Sequence, residues 1–192
     1  MRRLVIGGAR SGKSHYAESL LAGRPVDYVA TSQRRPDDPE WTARIAAHVA
    51  RRPAAWRTLE TADLGPVLRA TSDAAVLVDC LTVWLARVLD ECGCWPDAPG
   101  EGWVEPEARP GPAASGFEAL RARVDALAAA LAATTRDVVL VTNEVGQGVV
   151  PASAAGRLFR DEMGILNIAA AGACDEVWLV TAGVPLKIKG ET

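Results

Sequence analysis

The chain has 192 residues, of which 49% are apolar and 23% charged, and its formal net charge is −3. This length suits one domain with a hydrophobic core, so we predict a single domain over residues 1–192. The negative net charge argues against a general nucleic-acid binder, whose surface usually carries a basic field. No segment approaches the roughly 20 apolar residues of a membrane span. The first residues also lack the apolar core of a signal peptide, so we expect a cytoplasmic protein.

Predicted strands and helices alternate along the first half of the chain. Apolar runs predict strands at residues 4–7, 26–30, 56–60 and 75–79. Helical patterns lie between and after them, at residues 12–22, 40–51, 64–70 and 81–89.

The second half continues the alternation after a proline- and glycine-rich stretch at residues 92–116, which predicts an irregular excursion. The remaining predicted elements are a helix at 117–133, a strand at 138–141, a helix at 157–171, and strands at 176–180 and 184–188. Such alternation predicts an α/β fold with a mostly parallel central sheet flanked by helices. Ligands of these folds bind at the carboxyl ends of the strands.

A phosphate-binding loop is predicted between the first strand and the first helix. The segment reads Gly7-Gly8-Ala9-Arg10-Ser11-Gly12-Lys13-Ser14. It fits the pattern of a glycine, four residues, and then glycine, lysine and serine. Its backbone N–H groups would point at phosphate oxygens, Lys13 would reach the β- and γ-phosphates, and the Ser14 hydroxyl would bind Mg²⁺. The alternative is a glycine-rich turn without a ligand.

Asp79 ends the apolar run at residues 75–79. A carboxylate at the tip of a buried strand beside a phosphate-binding loop is typical of a magnesium ligand. The alternative is an N-cap of the helix that begins at residue 81. The neighbouring loop favours the magnesium interpretation.

The predicted helix at residues 40–51 has an apolar stripe of Trp41, Ile45 and Val49. Another face carries the basic side chains of Arg44, His48, Arg51 and Arg52. Positive neighbours disfavour the imidazolium form, so His48 would keep a nucleophilic nitrogen. From the spacing alone, however, an exposed histidine without a function is the favoured interpretation, because solvated charged faces are common.

A glycine-containing loop at residues 143–151 follows the buried strand at 138–141. Its glycines suggest backbone close to a ligand, although an ordinary connecting loop also fits. Arg157 and Arg160 on the next helix have two interpretations, phosphate contacts or solvated side chains. Cys92 and Cys94 are interpreted as free thiols, because no zinc-binding spacing accompanies them.

Five segments occur in one order along the chain: the phosphate-binding loop, Arg44-Ile45-Ala46-Ala47-His48, Val78-Asp79-Cys80-Leu81-Thr82, Thr142-Asn143-Glu144-Val145-Gly146 and Arg157-Leu158-Phe159-Arg160-Asp161. Together they resemble the bifunctional adenosylcobinamide kinase/adenosylcobinamide-phosphate guanylyltransferases of cobalamin biosynthesis. The resemblance implies a RecA-like P-loop fold and two reactions. The first phosphorylates adenosylcobinamide with GTP or ATP, and the second transfers GMP from GTP to adenosylcobinamide phosphate.

The resemblance also implies residue roles. His48 would carry GMP covalently, with Lys13 as the other catalytic residue, and Ser14 and Asp79 would hold Mg²⁺. The implied GTP contacts are Gly7, Gly8, Ala9, Arg10, Ser11, Gly12, Lys13, Ser14, Thr31, Ser32, Val49, Ala50, Arg51, Arg52, Glu60 and Asp79. Similar enzymes are homotrimers with sites between subunits, and neither a nucleic acid nor a membrane is implied as a partner.

Two other functions remain open at this point. A generic P-loop small-molecule kinase would use Lys13, Ser14 and Asp79 but would give His48 no task. A regulatory module that binds GTP without chemistry would need only the phosphate-binding loop.

Overall fold

The computed structural model describes residues 1–32, 53, 55–96 and 114–191. These parts contain seven strands, namely β1 (Arg2–Gly7), β2 (Val26–Ala30), β3 (Trp56–Glu60), β4 (Ala75–Asp79), β5 (Val138–Asn143), β6 (Glu176–Thr181) and β7 (Val184–Lys189). They also contain five helices, namely α1 (Lys13–Ser19), α2 (Leu64–Arg69), α3 (Leu81–Glu91), α4 (Ala114–Ala133) and α5 (Ala154–Ala173).

The seven strands form one sheet in the order β3-β2-β4-β5-β1-β6-β7. Every pair is parallel except the last, in which β6 and β7 form an antiparallel hairpin. The prediction of an α/β fold with a mostly parallel central sheet is confirmed, and the P-loop motif connects β1 to α1 as the resemblance implies.

Strands β1, β2, β4 and β5 are buried on both faces, which explains why they read as continuous apolar runs, whereas β3 and β7 are largely exposed. Because successive strand residues point to opposite faces, β5 contributes Val138 and Leu140 to one core cluster and Val139 and Val141 to another. Helices α2 to α5 cover the first face, and the second is covered by Ala17 of α1 and by Leu21 in the turn that follows it.

Three helix boundaries differ from the predictions by three residues, and the other differences are of one or two residues. Helix α1 ends at Ser19 rather than at residue 22, because Leu21 and Ala22 donate to the carbonyls three residues back and so tighten the last turn. Helix α5 begins at Ala154, three residues early, because the Ser153 hydroxyl caps it by accepting from the Gly156 N–H. Helix α4 begins at Ala114, within the predicted irregular stretch.

The helix predicted at residues 40–51 and most of the excursion at 92–116 lie outside the described residues. The single-domain assignment stays a prediction. Within the described ranges, no helix is long and apolar enough to cross a membrane.

Candidate nucleotide-binding site

The strand register brings the predicted site residues to one edge of the sheet. Ala30 at the end of β2 lies opposite Glu60 in β3 and Asp79 in β4. On the other side of β4, Gly7 at the end of β1 lies opposite Asn143 in β5. All these residues stand at the carboxyl ends of parallel strands, where α/β folds bind ligands.

Two glycines of the phosphate-binding loop occupy positions that exclude a side chain. A Cβ on Gly7 would lie 2.4 Å from the Val180 carbonyl oxygen, which belongs to the neighbouring strand. Gly12 has a φ of 92°, and its Cβ would lie 3.1 Å from Gly183 Cα. Only glycine adopts this conformation readily at such a close approach, so the motif glycines shape the loop itself.

The loop is held from within and from the β6–β7 turn. The Ser11 N–H donates to the Gly8 carbonyl at 3.3 Å, and Lys13 Nζ donates to the same carbonyl at 3.1 Å. The Gly183 N–H donates to the Ser11 carbonyl at 2.8 Å. This support by Gly183 joins residues 172 positions apart in the sequence, and no local pattern could have predicted it.

Asp79 is the last residue of β4, and its Oδ2 accepts a hydrogen bond from the Tyr28 hydroxyl at 3.0 Å. The residue that caps α3 is Cys80, and no side chain accepts a cap hydrogen bond there. The helix-cap interpretation of Asp79 is therefore not supported. Burial, together with the charge of Asp79, raises the pKa of the Cys80 thiol and disfavours a thiolate next to this carboxylate.

The other predicted contacts differ in how accessible their side chains are. Thr31 is fully buried, and its hydroxyl donates to the Cys80 carbonyl at 2.8 Å, which ties the end of β2 to that of β4. Ser32 is half-buried and Glu60 is exposed. The GTP contacts of these three residues stay predictions.

The two arginines of α5 have a role that neither earlier interpretation described. Arg160 donates to the Gly146 carbonyl at 2.8 Å, and Arg157 donates to the carbonyls of Pro151 and Ala152 at 3.1 and 2.7 Å. Both guanidinium groups thus fasten the loop after β5 to the start of α5.

The residues that fix the end of β5 had no predicted role. The Asn143 N–H donates to Thr82 Oγ1 of α3 at 3.0 Å, and its carbonyl accepts from Asn167 Nδ2 of α5 at 3.1 Å. Asn167 Oδ1 in turn accepts from the Thr142 hydroxyl at 2.7 Å. These partners belong to three different elements, α3, α5 and β5. The only hint of them in the sequence is that Asn143 ends a strand next to the predicted glycine-containing loop.

The predicted nucleophile His48 and the contacts Val49, Ala50, Arg51 and Arg52 lie outside the described residues. Their roles stay predictions. The site that the structure brings together consists of the phosphate-binding loop, Asp79 with Tyr28, and the end of β5.

The sequence model of the family described as cobinamide kinase / cobinamide phosphate guanyltransferase matches residues 3–188. The chain belongs to this family. The family resemblance drawn from the five segments is thereby confirmed, as is the prediction of a bifunctional kinase and guanylyltransferase enzyme.

Curated relatives match this chain over nearly their whole length. The bifunctional adenosylcobalamin biosynthesis protein CobU of Salmonella typhimurium is 43% identical over 98% of this chain and 100% of its own. CobP of Pseudomonas aeruginosa, with the same descriptive name, is 41% identical over 100% of this chain and 99% of its own.

Among solved structures, the P4 protein from bacteriophage phi6 in complex with ADP is similar with a TM-score of 0.39 and 15% identity. The match covers 96% of this chain and 53% of that one. A likeness this distant carries no argument about the site.

Proposed function

We propose that this member of the cobinamide kinase family phosphorylates adenosylcobinamide with a nucleoside triphosphate and then transfers GMP from GTP to adenosylcobinamide phosphate. The observation that carries the proposal is the register that sets the phosphate-binding loop and Asp79 on one sheet edge. Family membership supplies the substrate class. The products are adenosylcobinamide-GDP and pyrophosphate.

In the kinase reaction, the acceptor hydroxyl oxygen attacks the γ-phosphorus, and the bond from that phosphorus to the leaving oxygen breaks. The loop N–H groups and Lys13 would hold the negative charge of the phosphates. Because such transfer involves little covalent chemistry by the protein, positioning and charge stabilisation dominate its rate.

The residues at the edge fit Mg²⁺. Ser14 and Asp79 offer oxygen donors, and Mg²⁺ is usually held by one or two carboxylates together with substrate phosphates. The described residues contain no group of three or more His, Cys, Asp or Glu side chains that would hold a metal by itself. When bound, Mg²⁺ neutralises charge on the triphosphate. Tyr28 would fix the orientation of the Asp79 carboxylate through its 3.0 Å hydrogen bond.

In the second reaction, a ring nitrogen of His48 would attack the α-phosphorus of GTP and release pyrophosphate. A phosphate oxygen of adenosylcobinamide phosphate would then attack the same phosphorus, and the nitrogen–phosphorus bond would break. This route divides a transfer between two anions into two easier steps.

Covalent labelling with α-labelled GTP tests the proposed function. We expect a label that is labile in acid and stable in alkali, as a phosphoramidate is, on the peptide that contains His48. His48→Ala should lose the label and the guanylyl transfer but keep kinase activity. His15→Ala is the matched control, because His15 is the other histidine of the chain; this variant should still label.

The same experiment separates the alternatives. Phosphorylation of adenosylcobinamide without any label would indicate a kinase alone. Binding of GTP without turnover would indicate a regulatory module.

We further propose a cytoplasmic homotrimer whose sites are completed by neighbouring subunits, as the resemblance implies. Sedimentation equilibrium measures the mass directly. A monomer at micromolar concentration that retains both activities would contradict the shared-site arrangement.

A further inference from the structure

Two buried polar atoms lie without a hydrogen-bond partner at the candidate site. Within the described ranges, Ser11 Oγ and Asn143 Oδ1 are the buried side-chain nitrogen or oxygen atoms that have none. Ser11 belongs to the phosphate-binding loop, and Asn143 lies opposite Gly7, where that loop begins. Buried polar atoms in proteins normally have a hydrogen-bond partner. Two unpaired atoms at the same site therefore indicate that a bound ligand supplies the missing partners.

The unpaired oxygen of Asn143 contrasts with the firm anchoring of its backbone. The N–H is held by Thr82 and the carbonyl by Asn167, which is itself 8% exposed and bonded to Thr142. The end of β5 is therefore fixed from two helices. The side-chain amide takes no part in this anchoring.

The chemistry of the unpaired atom restricts its partner. A carbonyl oxygen accepts hydrogen bonds, and ionised phosphate oxygens have none to donate. Strand β5 lies between β1, which carries the phosphate-binding loop, and β4, which ends in Asp79. The terminal phosphate and its attacking group meet at this edge in the proposed function, and the attacking hydroxyl is a donor.

We propose that Asn143 Oδ1 accepts a hydrogen bond from the acceptor alcohol and orients its oxygen toward the terminal phosphate in the kinase reaction. The side chain of Asn143 is only half-buried, and its terminal torsion is soft. The oxygen can therefore turn toward a substrate while the anchored backbone stays in place.

Asn143 does not act as a base in this step. An amide oxygen is too weakly basic to keep the proton, which passes to a phosphoryl oxygen or to water as the new oxygen–phosphorus bond forms. The guanylyl transfer has no such requirement, because its acceptor is an ionised phosphate. The contribution of Asn143 is consequently confined to one of the two reactions.

The inference rests on the proposed function, and its test separates the two reactions. Asn143→Leu keeps the size of the side chain but removes the acceptor oxygen, whereas Asn143→Asp keeps an acceptor. At saturating GTP, we expect Asn143→Leu to lower the kinase kcat/KM for adenosylcobinamide by roughly 10–100-fold. Covalent labelling by α-labelled GTP should stay near the wild-type rate. Asn143→Asp should recover part of the kinase loss.

Asn167→Ala is the matched control for a merely structural effect, because it removes the anchor of the β5 end. This variant should lower the melting temperature and slow both reactions together, whereas Asn143→Leu should keep the wild-type melting temperature. A parallel loss of both reactions in Asn143→Leu, an unchanged kinase rate, or no recovery in Asn143→Asp would overturn the inference. A wild-type chain that neither phosphorylates the acceptor nor labels would instead refute the proposed function.

Discussion

The two edges of the central sheet differ in whether all of their buried polar side-chain atoms have hydrogen-bond partners among the described residues. At the amino edge, Arg136 and Asp27 are buried at 4% and 3% exposure and face each other at 2.6 Å. The guanidinium of Arg136 also donates to the carbonyls of Val67 and Ala74. At the carboxyl edge, Ser11 Oγ and Asn143 Oδ1 are buried without a hydrogen-bond partner in the part of the chain that the structure describes.

The amino edge thus contributes to the stability of the fold, whereas the carboxyl edge holds the groups that would meet a ligand. At the amino edge, the buried Arg136, which precedes β5, joins β2 through Asp27 to α2 and to the start of β4 through the carbonyls of Val67 and Ala74. Unpaired polar atoms at the carboxyl edge weaken the free chain and are retained where a ligand can pair with them. Substitutions at the amino edge should therefore change mainly the free energy of unfolding, and those at the carboxyl edge mainly the reaction rates.

The largest expected effect on stability follows from Arg136→Ala. This change leaves the buried Asp27 carboxylate with Arg57, whose side chain is 68% exposed, as its remaining charged partner among the described residues. We expect a loss of about 3–5 kcal/mol in the free energy of unfolding, as for other broken buried pairs. Urea unfolding measures it.

Arg57→Ala is the matched control on the same carboxylate. Because that guanidinium is mostly exposed, solvent screens it, and its removal should lower the free energy of unfolding far less than the removal of Arg136 does. Equal losses in the two variants would show that burial of the pair is not what stabilises this edge.

Lys13→Ala should give the largest effect on activity at the opposite edge. Removing a preorganised positive group costs roughly 10²–10³-fold in rate, and both reactions need the triphosphate. The melting temperature should stay close to the wild-type value, because the hydrogen bond from Lys13 Nζ to the Gly8 carbonyl is exposed to solvent. Lys13→Arg should remain impaired, since a planar guanidinium does not replace a compact ammonium. Full turnover in either variant would remove the loop from the mechanism.

Asp79→Asn should raise the Mg²⁺ concentration needed for half-maximal rate, because a neutral amide is a poor ligand for this cation. Tyr28→Phe keeps the carboxylate but removes the hydroxyl that orients it, so its magnesium requirement should lie between those of Asp79→Asn and the wild type. Magnesium titrations of the kinase rate measure this order. Coincident curves for all three proteins would exclude Asp79 as a metal ligand.

The sequence predicted features that depend on local pattern. Buried parallel strands such as β5 read as apolar runs, and the spacing of Gly7, Gly12 and Lys13 indicated the loop at the end of β1. The start of α5 was also readable, because Ser153 is a favoured capping residue, but the prediction missed it.

The features that escaped prediction are contacts between residues far apart in sequence. Asp27 lies in an apolar strand, and its buried partner Arg136 lies 109 positions away. The bonds that anchor Asn143 and the contact of Gly183 with the P-loop are of the same kind. A single sequence carries no periodic signal for such pairs, since the sheet order alone brings them together.

The smallest expected effect concerns a second ion pair of the amino edge. The side-chain and backbone hydrogen bonds from Arg2 lower the pKa of Asp175 to about 2, whereas an unperturbed aspartate titrates near 3.9. Its contribution to stability is thus complete above about pH 4 and is lost as the pH falls toward 2. Because the Asp175 side chain is 39% exposed, solvent screens the pair and we expect a contribution below about 1 kcal/mol.

Urea unfolding of the wild type and of Asp175→Asn at several pH values between 7 and 2 measures this contribution. The variant should be slightly less stable at pH 7, and the difference should shrink between pH 4 and 2, because protonation then neutralises the wild-type carboxyl group as well. The same difference should also shrink in 1 M salt, which screens exposed charges. A difference that stays constant down to pH 2 would mean that Asp175 acts through packing or its backbone neighbours. The ion pair would then have no part in the stability of the amino edge, which would rest on the buried pair of Asp27 and Arg136.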